Sequence, residues 1–194
     1  MNRKLPTFLI FVALVGLLFS SLSSAQDRPT RVVLFPDEQR AVSPGSRYVL
    51  ENVASNSGPP YVHTIFLRDR KLASRRKIFE YERHVQILLN PNGESFALSD
   101  YAGSNVAVCS VIGVHENVKA LSILDDVLKT VPANERVAIQ RNDHLYVAAV
   151  AWIDAQTLRV AIWGHDSERR KGFSRFYRYD VADGTARVEV AAER

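Results

Sequence analysis

"ILLNPNGESFALSD", residues 87–100, decides the fold. An apolar run meets Asn90-Pro91-Asn92-Gly93, a cluster of turn formers, and a second apolar run of similar length returns from it. Neither run reaches the ten or so residues a globular helix needs, and the break between them is turn chemistry, so the stretch reads as a β-hairpin. On the returning strand, Phe96 and Leu98 are expected to face the core. The strand ends on Ser99, Asp100 and Tyr101, and "AGSN" turns the chain again.

The same style extends in both directions. Upstream, Val32–Phe35 is closed by Pro36-Asp37, "SPGS" at 43–46 turns the chain, and "RYVLENVAS" and "YVHTIFLRD" are rich in β-branched and aromatic residues. "RDRKLASRR" reads as a polar loop, and "KIFEYERHVQILL" resumes the extended pattern with a turn near Glu82-Arg83. Downstream, "NVAVCSVIGV" makes a strand, and so do "HLYVAAVAWI", "TLRVAIWGH", "SRFYRYDV" and "ARVEVA". In "TLRVAIWGH", Leu158, Val160 and Ile162 point one way and Arg159, Ala161 and Trp163 the other. The expected architecture is mainly β: an antiparallel meander of short strands in blade-like units. One segment departs from it. "NVKALSILDDVLKTVP" places Val118, Leu121, Leu124, Leu128 and Val131 on one face at helical spacing, which predicts one α-helix near 117–131, with Asn117 as N-cap and Pro132 as its stop.

A faint internal repeat adds to this. "ILLNPNGESFALSD" and "AVAWIDAQTLRVAIWGH" (149–165) share the order apolar strand, short polar turn, apolar strand, and setting Leu89 against Trp152 gives an offset of 63 residues. "HVQILLNPNGESFALSD" resembles the W-S-P-D-G-K-x-L-A-x-x-S stretch of WD40-like and TolB-like β-propeller repeats, with Leu89 at the tryptophan place and Asn92 at the aspartate place. The resemblance implies that residues 60–114 form one four-stranded blade. It also suggests kinship with small exported bacterial proteins of unknown function, which adds no activity. A closed ring needs about four blades of roughly 40 residues. With a helix and an irregular N-terminal stretch also to accommodate, an open, curled sheet of two or three blade-like units is expected.

The first 25 residues read as a secretory signal peptide: Arg3 and Lys4, an apolar run from Phe8 to Phe19, and small residues Ser23 and Ala25 before a cleavage point. The expected mature chain, 26–194, is a single β-rich domain, periplasmic or secreted, with no transmembrane segment after cleavage. Of 25 basic residues two leave with the leader, so 23 face 21 acidic ones. That balance lacks the basic footprint of a nucleic-acid binder. Cys109 is the single cysteine, which precludes an internal disulfide; it lies in an apolar run and reads as a small buried hydrophobe.

Candidate site residues are few. Asp100 with Tyr101 reads either as a buried acid at a strand end or as a turn former that caps backbone N–H groups two residues on. His84 could meet His63 across neighbouring strands, but a zinc site needs three or four ligands, so no metal and no cofactor is assigned. His165 sits at another strand end. Two basic clusters, one around Arg75 and Arg76 and one over 169–178, would form hairpin connections able to meet an anionic surface, or ordinary charged loops that discourage strand pairing. No G-x-S-x-G elbow, G-x-G-x-x-G turn or phosphate loop occurs. Two readings stand. One is an exported non-catalytic module that binds a protein or an anionic envelope component. The other is a periplasmic hydrolase using the strand-end residues His84, Asp100 and His165.

Overall fold

The computed structural model describes residues 31–55, 58–59, 61–115, 121–168 and 171–189. The signal-peptide segment, the Asn117 cap, Val118, and Arg169 and Arg170 of the second basic cluster lie outside the described residues. Thirteen strands and two helices are present among the described residues: β1 (Val32–Phe35), β2 (Arg40–Val42), β3 (Tyr48–Ala54), β4 (His63–Asp69), β5 (Ser74–Tyr81), β6 (Val85–Leu89), β7 (Ser95–Asp100), β8 (Val106–Gly113), β9 (Leu121–Ser122), α1 (Ile123–Thr130), α2 (Ala133–Gln140), β10 (His144–Trp152), β11 (Thr157–Asp166), β12 (Lys171–Asp180) and β13 (Thr185–Val188). The fold is mainly β and propeller-like, as expected. The Asn-Pro-Asn-Gly hairpin is β6–β7, in register from Val85↔Asp100 to Leu89↔Phe96.

The strands form three blade-like layers. The first is the four-stranded sheet β2-β3-β4-β5; the second is β1-β6-β7-β8 with β9; the third is β10-β11-β12-β13, joined to the second in one continuous sheet. Residues 60–114 are therefore not one blade: β4 and β5 complete the first layer, and β6–β8 build the second. The middle layer is buried on both faces. Val85, Ile87, Phe96 and Leu98 pack against the first layer, while Leu88, Ala97, Cys109 and Val111 pack against the third layer and the helices. This is why β6 and β7 read as nearly continuous apolar runs rather than clean alternation. β11 instead alternates as expected, with Leu158, Val160 and Ile162 fully buried.

The meander is interrupted: β1 pairs not with β2 but with β6, and one ladder is parallel. β10 pairs β8 in parallel, and only through Leu145↔Val106 and Tyr146↔Ala107. Beyond that point side chains of the middle layer replace the ladder. The Ala149 N–H donates to Ser99 Oγ at 3.0 Å, and Gln86 Nε2 donates to the Ala149 carbonyl at 2.7 Å. Trp152 Nε1 donates to the Leu88 carbonyl at 3.0 Å, and Asn90 Nδ2 to the Ala155 carbonyl at 2.9 Å. Gln86 and Ala149 stand 63 residues apart, the offset of the internal repeat, so this bond links the equivalent strands of the two copies, β6 and β10. Close approach also governs the next pair of strands, because a Cβ on Gly164 would come 2.2 Å from the His144 carbonyl oxygen.

The helical region differs from expectation. Leu121 and Ser122 pair with β8 as a strand, so the first helix starts at Ile123 with Ser122 at its N-cap position. Pro132 does stop it, but a second helix begins at once at Ala133, because proline's fixed φ suits the start of a helix as well as the end of one. The buried face carries Ile123 and Val127, followed by Val131 and Ile139, with Leu124 and Leu128 partly buried beside them. Two buried tyrosines of β12 tie the helices down: Tyr179 donates to Asp126 Oδ2 at 2.8 Å and Tyr177 to Glu135 Oε1 at 2.7 Å.

Replacing Ser99 by Ala tests the seam between the layers. It removes the acceptor of a buried backbone N–H, and the variant should lose about 1–3 kcal/mol of stability by urea denaturation.

Candidate functional site

Aspartate or asparagine closes most of the hairpins in the same way. Asp69 Oδ1 accepts the N–H groups of Lys71 and Leu72 at 2.8 and 3.2 Å. Asn90 Oδ1 takes that of Asn92 at 3.0 Å, and Asp154 Oδ1 those of Gln156 and Thr157 at 2.7 Å. Asp166 holds the N–H of Glu168, and Asp180 those of Ala182 and Asp183. Each is an Asx turn. Asp100 occupies the equivalent place, the last residue of β7, yet it caps nothing: its Oδ1 is buried without a hydrogen-bond partner. The turn-former reading of Asp100 fails on this geometry. "AGSN" is closed instead by backbone bonds and by Tyr146, whose hydroxyl donates to the Ser104 carbonyl at 2.5 Å.

Around Asp100 the structure gathers two of the other residues singled out from sequence. His84, in the turn before β6, stacks on Tyr101 with ring centroids 4.6 Å apart. The Tyr101 N–H donates to the His84 carbonyl at 3.1 Å, and the Tyr101 hydroxyl reaches Gln86 Oε1 at 3.4 Å. Burial pushes the Asp100 carboxyl above the usual carboxylate range, and the nearby His84 opposes the shift. Such a carboxyl holds its proton to higher pH than a surface aspartate and can offer it to, or take it from, a group placed beside it.

The remaining predicted residues lie elsewhere. His165 stacks on His144, its register partner, at 4.2 Å. It belongs to the same sheet as Asp100, but β8 and β10 intervene between β7 and β11. His165 is engaged with His144 and His84 with Tyr101, and among the described residues no contact joins His165 to His84 or Asp100. His63 does not meet His84 either: it lies in the first layer and stacks on Tyr81 at 5.1 Å. Cys109 is fully buried, its thiol pushed up to about 11 by burial, and Ser99 Oγ lies 3.4 Å from its sulfur.

Arg75 and Arg76 sit in the first layer and do different work. They are strand residues of β5, since the loop expected over 68–76 shrinks to the turn at 70–73. Arg76 turns inward, and its Nη2 donates to the carbonyls of Gly113, Val114 and His115 at 3.3, 2.9 and 3.0 Å, binding the first layer to the end of β8. Arg75 faces outward. Its guanidinium lies 3.8 Å from the Phe66 ring centroid and 3.4 Å from Glu51 Oε2. Glu51 also receives Arg68 at 3.6 Å and Arg40 at 3.8 Å. The alternation of β3 and β4 that buries Leu50 and Leu67 puts Glu51, Phe66 and Arg68 on this outer face. The basic cluster visible in the sequence contains Arg68, Arg70 and Arg75 but not Arg40 and Glu51, which are distant in the chain and are joined to it by strand register.

The opposite outer face of the molecule, on β11 and β12, carries a related group. Arg159 lies over the Phe176 ring at 4.3 Å and bonds Glu189 at 2.6 Å, and Arg178 reaches the same carboxylate at 3.7 Å.

No protein-family model matches the chain, and no curated protein matches it. Among solved structures it is similar to the β-propeller domain of the Trilobed protease from Pyrococcus furiosus, described as having an open velcro topology, with a TM-score of 0.51 at 12% identity over 79% of this chain and 43% of that one. It also aligns with the AtxE2 isopeptidase in its apo form, with a TM-score of 0.48 at 15% identity over 79% of this chain and 29% of that one. The chain thus spans less than half the length of either structure. At this identity the first likeness shows the fold: propeller-like.

Two carboxyls give opposite pH signatures. Hydrogen bonding to Arg47, with the Leu72 and Lys71 N–H groups, holds Asp69 below the usual range. Its contribution is complete above the carboxyl's unfolded value and disappears as pH falls through the lower folded one. Asp100, shifted upward, favours the folded state in acid and costs stability as pH rises from its unfolded value through the folded one. Asp100→Asn should therefore raise the urea midpoint at pH 7, with the gain fading below about pH 4. Asp69→Asn should lower the midpoint at pH 7, with the loss fading in acid.

Proposed function

We propose that the chain is an exported, non-catalytic module, periplasmic or secreted, that binds an anionic component of the cell envelope, lipid or protein, through the outer face of its first layer. The observation that carries this reading is the excess of arginine there: Arg40, Arg68 and Arg75 share the single carboxylate of Glu51. Their side chains are between 45% and 69% exposed, while Glu51 is 14% exposed. Each guanidinium keeps donors free for an outside acceptor, and a surface excess of one charge sign attracts its opposite over about a Debye length. The likeness of the β6–β7 hairpin to WD40-like and TolB-like repeats supports the same view, as a scaffold of blades that displays its outer surfaces. The hydrolase alternative has less to rest on, because its three residues do not share a pocket.

The test is sedimentation with vesicles of phosphatidylglycerol and phosphatidylcholine against vesicles of phosphatidylcholine alone, at low and physiological salt. Binding to the first and not the second is expected, weakening as salt rises. Arg68→Glu with Arg75→Glu should reduce it at least about thirtyfold, given about 1 kcal/mol per basic residue near an anionic surface and the added repulsion of two carboxylates. Arg76 should be left intact, since its loss would unpin β8. Equal binding to both kinds of vesicle would refute the proposal.

A further inference from the structure

The same face holds a more specific feature, whose role as a ligand site rests on the proposal that this surface binds anions. Beside Glu51 an open groove of about 550 Å³ runs between Arg40, Arg68 and Arg70 over a floor of Val42 and Val49. Arg70 is steered into place by its bond to the Ser46 carbonyl at 3.2 Å and has no carboxylate partner among the described residues. The three arginines come from β2, from β4 and from the turn after β4, so register rather than sequence proximity brings them together. Three guanidinium charges against one carboxylate leave the groove two positive charges in excess.

We propose that this groove recognises a phosphate dianion, either free or as the monoester group of a lipid, through arginines that Glu51 gathers. The Glu51 contacts at 3.6 and 3.8 Å to Arg68 and Arg40 are longer than the roughly 2.7–2.9 Å of a saturated charge-assisted bond. Glu51 therefore holds the arginines near one another without consuming their donors. It also stands as a like charge at the edge of the groove. The remaining excess of two positive charges attracts a dianion about twice as strongly as a monoanion such as acetate. Planar guanidinium forks suit the paired oxygens of phosphate.

The experiment is calorimetric titration of the full chain with inorganic phosphate and with acetate at pH 6 and pH 8, beside vesicles carrying phosphatidic acid or phosphatidylglycerol. The wild-type chain should bind phosphate at least tenfold more tightly than acetate at pH 8, and less tightly at pH 6, where the second phosphate proton is partly retained. Glu51→Gln should tighten phosphate binding at pH 8 more than acetate binding and steepen the pH dependence, because losing a like charge helps an anion in proportion to its charge. Arg70→Ala, which breaks no ion pair, should weaken phosphate binding with an unchanged urea midpoint. Phosphate binding with preference for phosphatidic acid vesicles assigns the groove to a lipid headgroup; phosphate binding without that preference assigns it to the free ion. Equal affinity for phosphate and acetate, or a Glu51→Gln variant identical to wild type, overturns the inference. Loss of all vesicle binding by the wild-type chain would instead overturn the broader proposal for this surface.

Discussion

The seam between the second and third layers is the constraint on which the rest of the structure depends. After two ladder pairs β10 parts from β8, and its backbone would be buried without partners if side chains did not meet it. Ser99 and Gln86 serve the N–H and the carbonyl of Ala149, and Trp152 and Asn90 reach across in opposite directions. A buried peptide group left unpaired costs more than a formed hydrogen bond gains in net terms, so the layers can separate only where these side chains are in place. The arrangement also explains how a single continuous sheet can curl into stacked blades: the ladder is exchanged for side-chain bonds at the point where the strand directions diverge.

Much of this is legible in the chain, for identifiable reasons. Asn-Pro-Asn-Gly chemistry announces the β6–β7 hairpin because its constraints are local. The period-two pattern of "TLRVAIWGH" announces β11 because that strand has one buried face and one mixed face. What stays hidden is set by distance along the chain. The parallel β8–β10 contact joins residues about 40 apart and leaves no local trace. Leu121 and Ser122 carry helical spacing but are taken by β8 as a short strand, a tertiary choice overriding a local one. Pro132 signals a stop, and it is a stop and a start. Residues 60–114 look like one blade because the sequence shows four extended runs there; the structure has five strands, and the division after Tyr81 depends on which sheet each pair joins.

The candidate site residues show the same limit more sharply. Asp69, Asp100, Asp166 and Asp180 are all the last residues of strands, and nothing local marks Asp100 as the one that caps no turn. Its difference comes from burial beside His84 and Tyr101, both of which stand out in the sequence. Arg75 and Arg76 are adjacent and chemically identical, yet alternation sends one to the solvent face and the other into the carbonyls at the end of β8. Exposure on a strand is decided by parity, and the bulge between Ile65 and Phe66 in the neighbouring ladder obscures that parity from sequence. Glu51 is invisible by the same logic, because a lone glutamate in a strand has no signature until register surrounds it with arginine.

The two outer faces of the stack end in the same device: a phenylalanine, an arginine laid over its ring, and a glutamate shared with further arginines. In a longer array of blades these surfaces would be the places where a neighbour stacks. Here each phenylalanine is already roofed, and both terminal surfaces carry more arginine than glutamate. Bringing the head of one molecule onto the tail of another would press like charges together and strip water from ion pairs that gain little in exchange. Among the described residues, each outermost sheet thus covers its own apolar ring with charge, so the two ends of the arc meet water with the same chemistry.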